Sequence, residues 1–233
     1  MLRTSMKMAA AALAAGAVLT ACGPVELGAA AVTTSQRIST STLAAEVSNL
    51  NQGYLKYKGK ISLQYPVSQM PQQVLSWLVR FRVRDQLAAA RGIKVTPAQV
   101  QAALTAITSQ AQSSTPGTKV SLTELAVANG LPPNLLTALA QYQAIQSDLV
   151  SRMDGGTLPK SSAALQALST QFAKDECLVA KGLDIKINPQ FGRLDYSQYS
   201  IIPAPAVLSA TGPSPSPSPS ASPSASPQLT PAC

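Results

Sequence analysis

The chain contains no histidine. That absence removes the usual general base near neutral pH, most zinc sites, and every Ser–His or Cys–His arrangement for nucleophilic catalysis. A glycine-rich phosphate loop is missing too, and nothing resembles a nucleic-acid motif. The apolar run near the N-terminus, Met8 to Val18, is shorter than the roughly 20 residues a bilayer-spanning helix needs. Cysteine is sparse, at three residues, and acids are scarce, with 10 Asp and Glu against 18 Lys and Arg. Asp175 and Glu176 are neighbours on an expected helix, so they point to different sides and make a poor acid–base pair. Cys177 stands beside them, which raises a thiol pKa, the wrong direction for a nucleophile. No catalytic residue, metal ligand or cofactor is expected.

What is present begins with an export signal. Arg3 and Lys7 form a short basic region ahead of the apolar run, which ends at Leu19-Thr20-Ala21-Cys22-Gly23. Small residues at Ala21 and Gly23 let a peptidase groove approach the backbone, and the basic end stays on the inner side during export. The three residues before the cysteine, with Cys22, resemble a bacterial lipobox. That resemblance implies removal of residues 1–21, a diacylglycerol thioether on Cys22, and often acylation of the new amino group. Two or three acyl chains give stable attachment where one gives marginal binding. The expected location is the cell membrane, lipid-anchored on its extracytoplasmic face. The competing readings are a transmembrane helix, or a plain cleavable signal with a chance cysteine.

Loss of residues 1–21 leaves 16 Lys and Arg against 10 acids, about +6. The basic residues are scattered except at Lys56-Lys58-Lys60 and Arg80-Arg82-Arg84. Such a charge favours an anionic lipid surface or acidic polymers or, more simply, is an ordinary solvated face. With Cys22 lipidated, Cys177 and Cys233 remain as an even pair in an oxidising compartment. They are either a bridge tying the tail to the domain, or one buried thiol and one free tail thiol.

Residues 22–27 are expected to be a tether, and residues 211–233 a disordered tail dominated by Pro-Ser and Ala-Ser repeats. Residues 28–210 are long enough for one domain with its own core. The segment Gly28 to Thr34 is small and β-branched, and Arg37-Ile38-Ser39 follows as a second extended piece. Thr40 or Ser41 then caps a helix whose apolar Leu43, Val47, Leu50 and Tyr54 recur every three or four residues. Pro71 opens a helix from about Gln72 to Ala90 that is apolar nearly all round and is therefore central. Thr96-Pro97 caps the next helix, a polar loop covers Ser109 to Lys119, and Ser121 with Glu124 has capping-box spacing. A helix follows Pro132-Pro133, and a last one runs from about Lys160 to Lys181 with Leu165, Leu168, Phe172 and Leu178 inward. The alternation Leu183-Asp184-Ile185-Lys186-Ile187 is that of a half-buried strand, which must pair with something. The other good strand is Ala29 to Thr34. A mainly α domain with one small sheet joining its N-terminal and C-terminal strands follows.

This order of elements resembles the N-terminal chaperone domain of SurA and related extracellular foldases. The segment Arg80 to Val100, with Arg91-Gly92-Ile93 and Val95-Thr96-Pro97-Ala98-Gln99-Val100, carries most of the resemblance. Leu183 to Asp195 looks like the closing strand of actinobacterial lipoproteins of this kind. The family often carries a parvulin-type isomerase domain, but here no residues are left over for one, and its usual histidines are absent. The resemblance therefore implies the binding module alone, holding unfolded or exported polypeptides without catalysis. The alternative is a scaffolding lipoprotein that binds one folded envelope partner through the same groove. Met70, Trp77, Phe81, Tyr142 and Met153 either line such a groove or, for Trp77 and Phe81 above all, belong to the core. Tyr54, Tyr57 and Tyr65, beside the three lysines, are expected either to be exposed for binding or to be no more than part of a loop.

Overall fold

The computed structural model describes residues 28–34, 36–113, 120–153, 155, 161–197 and 199–203. Strands β1 (Ala29–Val32) and β2 (Arg37–Ser39) lead into helix α1 (Thr40–Tyr57). Helix α2 (Met70–Ala90) follows a short turn of 3₁₀ helix at Val67–Gln69. Next come α3 (Pro97–Ser113), α4 (Leu122–Ala128), α5 (Leu136–Met153) and α6 (Ser162–Gly182). Three short strands close the described chain: β3 (Lys186–Ile187), β4 (Arg193–Asp195) and β5 (Ser200–Ile202).

The two ends of the domain meet in one antiparallel sheet of order β2-β1-β3, with Ala31 opposite Ile187 and Val32 opposite Lys186. The expected strand from Leu183 is shorter than its alternation suggests, since Leu183 caps α6 in a helical conformation and Asp184 turns the chain at φ +46°, leaving Lys186–Ile187 to pair. Leu183 and Ile185 are buried while Asp184 and Lys186 face solvent. Ala29, Ala30 and Ala31 are fully covered, since small side chains let the strand lie close against the helices. A second sheet, the β4–β5 hairpin, had no signal in the sequence. Its anchor is Ser76, buried in the middle of α2. The Ser76 hydroxyl donates to the Gln72 carbonyl and accepts from the Ile201 amide, each at 2.7 Å.

Helix α2 is central, as expected, but not covered all round: Arg82, Asp85, Gln86 and Ala89 form an exposed stripe. Val74, Leu75, Val79 and Val83 enter the main core with Leu43 and Leu50 of α1; Leu87 and Ala88 meet Ile145, Leu149 and Phe172; Phe81 packs with Ala126 and Leu131. Burying each such side chain contributes about 1.5–3 kcal/mol as an upper estimate. Gly92, at φ +63°, takes the left-handed position after the helix end.

The local punctuation departs from expectation at several points. Ser39, not Thr40 or Ser41, caps α1, its hydroxyl accepting from the Thr42 amide. Thr96 and Gln99 cap α3 reciprocally, and Ser121 with Glu124 forms the complete capping box of α4. Helix α3 continues to Ser113, past the start of the expected loop, with Ala111 covered. Leu178 is 49% exposed rather than inward, because α6 turns the Phe172 and Ala180 side to the core. Tyr54, Tyr57 and Tyr65 are half-buried against the main core, where their rings cover apolar neighbours. Among the described residues, no helix is long and apolar enough to cross a membrane.

Candidate functional site

Two of the three cysteines, Cys22 and Cys233, lie outside the described residues, as do the tether, the signal segment and the Pro-Ser tail. Cys177 sits half-buried on α6 and is disulfide-bonded. The sequence offers it only Cys22 or Cys233 as a partner.

The five apolar residues considered for a groove are not brought together. Met70 belongs to the main core, Met153 to the cluster around Leu149, and Trp77, Phe81 and Tyr142 to a third. Within that third cluster the rings touch in sequence, Trp77 to Phe81 at 5.8 Å and Phe81 to Tyr142 at 6.0 Å. Phe81 is buried, and the Trp77 indole N–H donates to the Asn129 carbonyl at 3.2 Å. This aromatic row glues α2 to α4 and α5.

The Arg80-Arg82-Arg84 cluster is not a uniformly solvated face. Arg82 is exposed, but Arg84 is 1% exposed and its Nε donates to Glu176 Oε1 at 2.7 Å. Its Nη1 donates to the Tyr142 carbonyl and to Gln146 Oε1, both at 3.3 Å. The guanidinium lies 3.7 Å from the Tyr142 ring centroid and 4.6 Å from that of Phe172. A charge with 3.6-residue spacing onto the core side of α2 must be paired to be buried, and Glu176 on α6 supplies the counter-charge. Asp175 pairs in turn with Arg91. The adjacent acids are thus both used as structural ties between α6 and α2. Among the described residues no group of His, Cys, Asp or Glu is placed to hold a metal ion.

Open space lies on the other side of α2. One hollow of about 300 Å³ sits between α2, the segment after Gly92, α3 and α5. Ala88, Ile93 and Ile145 form its buried lining, with Val95 and Val100 half-buried. Asp85, Ala89 and Gln141 are exposed in the same lining. A second hollow, about 180 Å³, is lined by Thr33, Gln36, Arg82 and Gln86, with Leu183 on its wall. Asp85 and Ala89 line both. The two hollows therefore flank one turn of α2, and the short side chains of Ala88 and Ala89 leave the room for the first. Gln141 Nε2 donates to Asp85 Oδ1 at 3.1 Å. Burial raises the Asp85 carboxyl above its ordinary pKa, while the Gln141 hydrogen bond and the Arg82 charge pull it back. The only sequence signal for this place was a lone acid in an apolar, arginine-rich helix followed by three alanines.

In comparison with known protein families, curated proteins and solved structures, the chain matches none. What the fold defines by itself is a mainly helical domain closed by a small antiparallel sheet.

Proposed function

We propose that the chain is an extracytoplasmic lipoprotein, held to the cell membrane through Cys22, whose helical domain binds unfolded or newly exported polypeptides without catalysis. The observation that carries the binding half of this reading is the pair of hollows along α2, each of mixed polar and apolar lining, sharing Asp85 and Ala89. Mixed lining of this kind suits an extended chain, which alternates apolar and polar side chains. The anchoring half rests on the lipobox-like Leu19-Thr20-Ala21-Cys22. With Cys22 lipidated, Cys233 is the cysteine left to pair with Cys177.

The test is a light-scattering assay with several unrelated aggregating clients and the full-length protein in detergent micelles. Suppression of aggregation of all of them, up to equimolar ratios, is the expected result. No suppression, together with tight capture of one folded envelope protein, replaces this reading with that of a scaffold. Acceleration of proline isomerisation above background overturns the non-catalytic assignment.

A further inference from the structure

We propose that the turn of α2 bearing Asp85 and Ala89 is a selective subsite for an extended polypeptide segment that carries a basic side chain beside aliphatic ones. The inference rests on the polypeptide-binding reading and names where the segment lies and what it must present. Half-buried Val95 and Val100, over a floor of Ile93 and Ile145, offer a small apolar contact for an aliphatic side chain or the stem of a lysine. Asp85 is the charged residue in that lining among the described residues. A partly desolvated carboxylate at the edge of a hollow of mixed lining favours a cation whose stem lies against its apolar wall, and disfavours an anion in the same place. Arg82, in the lining of the second hollow, attracts the same carboxylate and would contribute repulsion to a second cation there. One basic group per crossing therefore fits better than a basic run. Ala89 lies beneath the path, its small exposed side chain permitting close approach from either hollow.

The experiment is fluorescence anisotropy with the full-length protein in detergent micelles and three fluorescein-labelled decapeptides. All three share Val and Leu flanks and differ at one central position, which is Lys, norleucine or Glu. The expected result is tightest binding of the Lys peptide, about fivefold over norleucine and more over Glu, as for one partly solvated ion pair. Asp85→Asn keeps the Gln141 contact available and should erase the Lys preference. Ala89→Trp, at an exposed helix position, should weaken all three peptides about tenfold while leaving the helical circular dichroism unchanged. Equal binding of the three peptides, or a Lys preference that survives both substitutions, overturns the subsite but leaves polypeptide binding standing. Failure of the wild-type protein to bind any of them defeats the subsite and counts against the broader reading as well.

Discussion

Converting Glu176 to Gln keeps the shape of the side chain and removes the charge that balances Arg84. The guanidinium would then be a buried cation, its side chain 2% exposed, held by two neutral acceptors and two aromatic rings. Breaking a buried pair from one side costs about 3–5 kcal/mol, because the surviving charge is left uncompensated. For a domain of this size that lowers Tm by about 10 °C. The pair Arg91–Asp175 is a useful contrast. Arg91 is 47% exposed at its side chain, but Asp175 is only 9% exposed and keeps Gln171 as a donor, so Arg91→Ala should cost an intermediate amount, about 1–3 kcal/mol. The double variant Arg84→Met with Glu176→Leu removes both charges, keeps most of the packing, and should recover most of the loss. Urea titrations followed by circular dichroism give these values directly, provided the slope is unchanged between variants. A loss below about 1 kcal/mol for Glu176→Gln, or a double variant no better than the single, would refute the view that Arg84 is a paired buried charge locking α2 to α6.

Other consequences are local. Ser76→Ala strands the buried Ile201 amide and should cost about 1–3 kcal/mol in a urea titration, with the β4–β5 hairpin losing amide-exchange protection first. Gly192 stands at φ +117°, where an added Cβ would run into the Ile202 carbonyl, so Gly192→Ala should destabilise by about 2 kcal/mol in the same titration. Burial holds the Tyr65 hydroxyl up to about 12, against an ordinary value of 10.0, and also pushes Tyr142, Tyr196 and Tyr199 upward. These hydroxyls ionise more easily in the unfolded chain, so their contribution is complete below pH 10 and is lost as pH rises toward about 12. Urea stability measured across that window should fall steadily, with ultraviolet absorbance reporting tyrosinate; a flat profile contradicts the burial.

Much of the fold was legible because its signals are local. The alternation from Leu183 to Ile187 announces a strand, of which Lys186–Ile187 forms, and a strand without a partner forces the chain ends together. Caps at Thr96 and Ser121 and the central place of α2 follow from the same short-range logic. The remainder depends on tertiary partners. Arg84 belongs to a run of arginines that reads as surface, and only the packing of α6 reveals Glu176 opposite it. Ser76 gives no hint that it receives a strand 125 residues later. The hairpin strands have three residues each, too few for periodicity to emerge. The hollows beside Asp85 arise from what Ala88 and Ala89 do not fill, and an absence of side-chain volume becomes visible only once α3 and α5 surround it.

Peptide mapping by mass spectrometry of the membrane-extracted protein, without reduction and then after it, bears most directly on the anchored reading. The account predicts an N-terminal peptide that begins at Cys22 and carries acyl chains, together with a Cys177 peptide joined to that of Cys233 until reduction separates them. An unmodified Cys22 joined to Cys177 contradicts it, since one sulfur cannot hold both a thioether lipid and a disulfide.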